Sequence, residues 1–360
     1  MTAAVSTAPS REARTALVKA RARALGFDAV GIARAEPLER EHARYAAFVA
    51  RGFHGEMSWL ARDEEDVRKD VRSHRILEGA RSVICLASAY QRSAEDEAHD
   101  PPLAKLVARY ARGRDYHNGL KKKLRKLAAF VRTLEEGASA RPLSDDAPIL
   151  ERAWAARAGL GFIGKNGLLI VPGRGSFVLL GEVVTSLDLE PDAPLPERCG
   201  TCTRCIDACP TRAIVEPFVL DARKCISYLT IELRGAMPVT LREGVGDHLF
   251  GCDDCQTVCP FTHGKAETHE TPERYAPLAR WATTSLESLL ALEDGSEAWA
   301  AVGRGTPLHR ATAEGLARNA AIVLGNRRDA AARLALERAA ESHPAESVRD
   351  AARWALARIS

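Results

Sequence analysis

Eight of the nine cysteines fall between residues 199 and 259. Cys199, Cys202, Cys205 and Cys209 precede Pro210, giving C-x2-C-x2-C-x3-C-P, a spacing that wraps a [4Fe–4S] cluster. Cys252, Cys255 and Cys259 precede Pro260 and repeat the motif with one member missing. Cys225 is available to replace it. Where two such runs share a chain, the fourth cysteine of each serves the other cluster. That rule gives Cys199, Cys202, Cys205 and Cys259 to one cluster, and Cys209, Cys225, Cys252 and Cys255 to the other. The count closes, and the chemistry is single-electron transfer. Zinc is the weaker reading, because its C-x2-C units pair at longer separations. Disulfides need an oxidising compartment that nothing here specifies. Cys85, in the apolar run Val83-Ile84-Cys85-Leu86, reads as an inert buried thiol on a strand.

Three further groupings could do chemistry. Asp145 and Asp146 stand before Pro148 and the helix Ile149-Leu150-Glu151-Arg152. Such acids normally cap a helix or complement its dipole. One could instead donate a proton if burial raised its pKa. Asp115-Tyr116-His117-Asn118-Gly119 approaches the cobalamin-ligand pattern D-x-H-x-x-G, but the glycine comes one residue early. Capping is the simpler role for Asp115. Gly159-Leu160-Gly161-Phe162-Ile163-Gly164 matches G-x-G-x-x-G, yet a helix enters it and a strand leaves it. That is the reverse of a dinucleotide site. A close-approach loop is expected, with Lys165 and Asn166 able to meet a large polar ligand.

Helices are expected over 11–26, 37–51, 57–70, 115–135 and 148–158, and strands over 28–33, 81–90, 167–172 and 176–186. In the strongest helix Leu120, Leu124, Leu127, Val131 and Leu134 share a face. Its Lys121, Lys122, Lys123, Arg125 and Lys126 read as a solvated face or a phosphate contact. Mixed helices and strands without a βαβ rhythm indicate an α+β fold. Residues 1–190 form its first domain. A proline-rich linker over 189–196 leads to the cysteine-rich domain, 191–265. A polar connection, 263–273, leads to residues 266–360. Small residues at close spacing there suggest HEAT-like helix pairs docked on the cluster domain, against a plain helical hairpin. The 360 residues carry a net charge of +3 and are 46% hydrophobic. The N-terminus lacks a signal-like apolar stretch, and no segment reaches the ~18 apolar residues of a membrane span. A cytoplasmic monomer is expected.

Beyond the cysteines, the chain resembles the epoxyqueuosine reductases. The resemblance rests on RYARGRDYH (109–117), RPLSDDAPILERAWAARAGLGFIGKN (141–166), GSFVLLGEVV (175–184), CGTCTRCIDACPTRAI, KCISYLTIELRG, GCDDCQTVCP, RNAAIVLGN (318–326) and the closing VRDAARWALARI. It covers nearly the whole chain. Phe162 stands where the family usually has tryptophan, and Ser144-Asp145-Asp146 replaces V-D-[ST].

The resemblance implies reduction of epoxyqueuosine to queuosine at the wobble base of tRNAs with GUN anticodons. It implies cobalamin, two [4Fe–4S] clusters, and an electron donor of the flavodoxin or ferredoxin type. Low-valent cobalt would attack the epoxide-bearing ring. Asp145, kept neutral by burial, would protonate the departing oxygen. The cobalamin would be lined by Arg68, Tyr110, Asp145, Gly164, Lys165, Asn166, Leu169, Ser176, Leu180, Ser227, Asp253 and Asp254. RNA would meet Arg141, Arg212, Lys224, Arg234, Arg318 and Arg327, with the modified base flipped into the pocket. Two other functions compete. A corrinoid dehalogenase would carry a twin-arginine signal, which this N-terminus lacks. A pure electron carrier would leave half the chain without a role.

Overall fold

The computed structural model describes residues 9–62, 65–145, 147–263 and 275–359. Helix α1 (Arg11–Ala24) starts at Ser10, whose hydroxyl accepts the Ala13 N–H, and it buries Val18 and Ala22. Then come β1 (Ala29–Arg34), α2 (Glu39–Ala50) and β2 (Ser82–Ala89). The helix expected over 57–70 appears only as a 3-10 turn, Ser58–Leu60, and a short helix, Glu65–Lys69. The charged run Arg62 to Asp66 interrupts any apolar stripe. The sequence continues as α3 (Tyr116–Arg132), β3 (Ala140–Leu143), α4 (Glu151–Arg157), β4 (Phe162–Ile163), β5 (Leu169–Ile170) and β6 (Val178–Thr185).

β1, β2, β6 and β3 form one antiparallel sheet in that order. Alternation puts successive side chains on opposite faces. Ile84, Leu86 and Val183 pack under α1 and α3. Val83, Cys85 and Val184 pack under α4, with Trp154 and Ala155. In α3, Leu120, Leu124, Leu127 and Val131 are buried, each contributing on the order of 2 kcal/mol of burial. Cys85 is fully buried, as an inert strand thiol should be.

The segment Leu189–Pro196 is irregular but anchored. Asp192 accepts the Lys19 ammonium and the Ile32 N–H at 2.5 and 2.8 Å. The cysteine-rich part carries a hairpin, β7 (Ile214–Glu216) and β8 (Val219–Leu220), a π-turn at Tyr228–Glu232, and α5 (Val239–Val245). The tail ends in α6 (Thr312–Arg327), α7 (Arg333–Ser342) and α8 (Glu346–Ile359).

One buried core draws on several parts of the chain. Leu103–Ala111, Ile226, Leu229, Phe250 and the buried faces of α6, α7 and α8 share one cluster. Helix α6 is buried nearly all round. The wider spacing of a π-turn leaves carbonyls without their usual helical partners, and here α6 supplies them. Arg318 donates to the carbonyls of Leu229, Leu233 and Gly235, and Asn319 to those of Thr230 and Leu249. Most of the polar connection expected over 263–273 lies outside the described residues.

Candidate active site and iron–sulfur centres

The cysteines come together as two sets. Cys205 faces Cys259 and Cys202, and Cys199 faces Cys205. Cys225 faces Cys209, while Cys252 and Cys255 both face Cys225. Cys255 also feels Cys205, so the sets adjoin. Burial, with neighbouring sulfurs adding, raises the thiols of Cys199, Cys205, Cys225, Cys252, Cys255 and Cys259; Cys199 is pushed up to about 11. A bound cation would reverse that by holding thiolates. Ala213 N–H points at Cys209 Sγ at 3.2 Å, the kind of donor that tunes a cluster's potential. Ser227 hydrogen-bonds Cys225. Phe162 packs edge-on to Phe261 at 5.2 Å, beside Cys259 and Cys199. An aromatic ring is therefore kept where the family usually has tryptophan.

The glycine-rich stretch links α4 to β4, so it is a turn. A Cβ on Gly161 would lie 2.2 Å from the Ile170 carbonyl oxygen. Only glycine allows that approach. Beyond it, Asn166 is buried, its Oδ1 takes the Leu168 N–H, and its Nδ2 has no partner. Lys165 is engaged within the chain. Its ammonium donates to the Gly200 and Cys202 carbonyls at 2.6 and 2.9 Å, so it braces the first cysteine loop.

β6 is half-covered from Val178 to Leu180 and fully buried from Gly181 onward. Ser176 and Leu169 are buried near its start, the Ser176 hydroxyl donating to Gln256. Asp253 accepts the Arg109 N–H and a Gln256 amide, and burial raises its pKa. Asp254 is tied to His248 at 3.1 Å. Arg68 is buried against the Tyr45 ring and donates to the Trp59 carbonyl.

Asp145 sits between β3 and α4 with φ +57. It does not cap α4, whose N-cap is Leu150. Instead its N–H donates to Glu151. Its carboxylate receives the Tyr116 hydroxyl at 2.5 Å and lies 3.4 Å from His117 Nε2. Partial burial pushes the Asp145 pKa up, but the His117 and Tyr116 hydrogen bonds outweigh it, and the net shift is downward. The expectation of an acid kept neutral by burial is thus corrected: its side chain is 45% exposed. The His117 imidazole is pushed up to about 9 by Asp115 first and Asp145 second. Asp115 does cap α3, accepting the His117 N–H. His117 was visible in sequence only inside an imperfect metal box.

Tyr110 connects this acid to the cysteines. Its ring is 6.0 Å from Tyr116 and 6.3 Å from Phe250, two residues before Cys252. Asp253 and Asp145 both raise its pKa, after burial.

The expected RNA contacts divide. Arg212 and Lys224 are exposed. Arg141 is exposed but donates to the Ile76 carbonyl, Arg234 binds the Ile231 and Arg310 carbonyls, and Arg327 pairs with Asp247. Arg318 is 1% exposed and closes the π-turn, so it cannot touch RNA in this structure.

An antiparallel sheet domain that sets an acid–imidazole pair beside two groups of four thiols defines an iron–sulfur redox enzyme. The family model described as "4Fe-4S double cluster binding domain" matches residues 198–262, and "Epoxyqueuosine reductase QueG, DUF1730" matches residues 70–146. An epoxyqueuosine reductase of Gloeobacter violaceus is 44% identical over 316 residues, spanning 86% of this chain and 95% of its own. The chain belongs to the epoxyqueuosine reductase family. The Bacillus subtilis epoxyqueuosine reductase, solved with an aspartate catalytic loop swung out of the active site, superposes with a TM-score of 0.85 at 30% identity, over 96% of this chain and 90% of that one. An epoxyqueuosine reductase solved with an epoxyqueuosine-modified tRNA-Tyr stem loop gives 0.84 at 29%, over 96% and 89%. Among the described residues no helix is long and apolar enough to cross a membrane.

Proposed function

We propose that this protein reduces epoxyqueuosine to queuosine at the wobble position of tRNA, the last step of queuosine synthesis. The observation that carries the reading is the continuity from Asp145 through Tyr116 and Tyr110 to the Cys252 loop. Family membership and the RNA stem loop bound by a relative support the same substrate. The overall reaction takes two electrons and two protons, converts the epoxide to an alkene and releases water.

Two features of the chain suit cobalamin. The half-covered stretch Val178–Leu180 offers a surface for a flat macrocycle, and the unpartnered Asn166 Nδ2 can donate to one of its amide side chains. Gly164, Leu169, Ser176, Asp253, Arg68, Tyr110, Ser227 and Asp254 would line it. When bound, it supplies a reducible cobalt that donates the electron pair to the epoxide. Each set of four cysteines would hold one [4Fe–4S] cluster.

The chain's own residues manage the proton. His117 keeps a proton at neutral pH and faces Asp145 Oδ2, so a proton reaching that oxygen can be passed to the departing epoxide oxygen. A poor leaving group needs this help. Asp145 lies on a loop, as does the catalytic aspartate of the Bacillus subtilis relative. The α6–α8 block reads as a HEAT-like tail offering a docking face for the RNA stem, with Arg234, Arg327 and Arg141 as rim cations. Arg212 and Lys224 are exposed as well.

The test is nucleoside mass spectrometry of epoxyqueuosine-containing tRNA after incubation with anaerobically reconstituted protein, cobalamin and a chemical reductant. Loss of one oxygen from the modified base, absent without cobalamin, supports the function. An unchanged nucleoside with verified clusters and cobalamin refutes it.

A further inference from the structure

Five large hydrophobic side chains are exposed among the described residues, and two of them, Val215 at 36% and Phe218 at 38%, share the β7–β8 hairpin. Pro217 between them is exposed as well. Single exposed apolar residues are ordinary, but an apolar tip on one hairpin marks a contact surface. The backbone strengthens the case. Phe218 sits at φ +70 and Arg212, just before the hairpin, at φ +51. Left-handed backbone costs a non-glycine residue roughly 1 kcal/mol. A phenylalanine left 38% exposed gains less from folding than a buried one to offset that cost.

The hairpin lies across both cysteine sets. At its base the Ala213 N–H meets Cys209 Sγ. At its tip the Phe218 N–H donates to the Lys165 carbonyl at 2.9 Å, and the Lys165 ammonium holds the Gly200 and Cys202 carbonyls. The apolar tip is thus one residue removed from the first cysteine loop.

The surroundings are cationic. Arg51 and Arg223 both stack on Phe53, at 4.2 and 5.3 Å from the ring centroid. Phe53 is fixed beside the hairpin by its carbonyl, which accepts the Ala222 N–H. Arg198, Arg204, Arg212 and Lys224 are exposed on the same stretches. The acids nearby are outnumbered by these cations. Glu216 faces Arg51 and Asp221 binds Arg223. Glu197 accepts the Cys199 N–H and Asp207 the Thr203 hydroxyl.

We propose that the β7–β8 hairpin and its flanking arginines form the docking surface for an acidic flavodoxin-type electron carrier. The inference rests on the reading that the cysteines hold clusters feeding the reaction. An apolar centre ringed by cations complements a carrier whose exposed flavin edge is ringed by acids, and such encounters are small and steered by charge. Each encounter moves one electron: the carrier is oxidised by one, a [4Fe–4S] cluster is reduced by one, and no bond is made or broken. Two encounters supply the two electrons of the epoxide reduction.

The test follows cluster bleaching in a stopped-flow instrument, without RNA, after mixing the reconstituted full chain with a reduced bacterial flavodoxin. Phe218→Asp suits the experiment, since aspartate tolerates positive φ, and Val215→Asp is its companion. Both variants are expected to lower the second-order rate constant about tenfold. Added salt should slow the unaltered protein. Reduction by dithionite and affinity for the tRNA stem loop should not change. Unaltered flavodoxin rates in both variants would overturn the proposal. So would equal losses with dithionite, which would make the hairpin a support for the clusters, or lost stem-loop binding with normal flavodoxin rates, which would make it an RNA face. The bleaching signal is independent of epoxide chemistry, so failure of the proposed function would be seen separately.

Discussion

His117 is held between two aspartates: its Nδ1 lies 2.6 Å from Asp115 Oδ1 and its Nε2 lies 3.4 Å from Asp145 Oδ2. Asp115 fixes the ring at the start of α3, so the other nitrogen faces the loop acid. The same grip keeps the ring charged in the neutral range.

Asp145→Asn keeps the shape of the side chain but cannot pass a proton. Epoxide reduction should fall by about 10²–10⁴-fold, with both clusters and cobalamin still bound. Nucleoside mass spectrometry and absorption spectra of the loaded protein check this. Normal turnover would remove Asp145 as the acid.

The pH profile should carry His117's signature. Its folded pKa of about 9 stands above the ordinary 6.5. Its contribution to stability is therefore complete below 6.5 and lost as pH rises through 9. Asp115 and Asp145 are held below 3.8, so theirs is present above 3.8 and lost on acidification. Activity should decline through an alkaline limb near 9, and His117→Gln should abolish that limb while lowering the rate. A limb unchanged in the variant would assign it to another group.

Glu182 makes a separate pH prediction. It is fully buried in the sheet, opposite Cys85 and Leu143, and neither carboxyl oxygen has a partner. Burial, then the charges of Glu151 and Asp145, drive its pKa far above 4.5. The folded chain thus takes up a proton there, and stability falls as pH rises above 4.5. Glu182→Gln should unfold at a higher temperature at pH 8 than the unaltered protein, with a flatter pH dependence by calorimetry.

Cys225→Ser should damage one cluster and spare the other. Iron per chain should drop from about eight to about four, and EPR should retain a single reduced cluster signal. Two intact clusters would sink the assignment of Cys225.

The cysteine runs were readable because cluster ligation depends on short-range spacing, and the structure brings the distant Cys225 near Cys209, Cys252 and Cys255. The sheet and α3 were equally readable from their periods of two and 3.6. The protonation state of Asp145 was not, because it depends on a positive-φ turn and on an imidazole 28 residues earlier in the chain. Arg318 misled for a related reason. An arginine beside an asparagine looks solvent-facing, but the open carbonyls of a π-turn draw both inward. The continuous small residues around it, Ala317, Ala320 and Ala321, were the available sign that this helix is buried on every side.

Arg318→Ala should leave three carbonyls of the π-turn region unsatisfied and cost about 2–4 kcal/mol. Denaturant unfolding followed by tryptophan fluorescence measures it.

Cys225 and Cys252 pack against the same core that α6, α7 and α8 complete. Loading of that site is therefore expected to stiffen the tail as well. Oxygen damage to the second cluster would loosen the far end of the molecule together with the redox centre. Damage there would spread well beyond the site that took it.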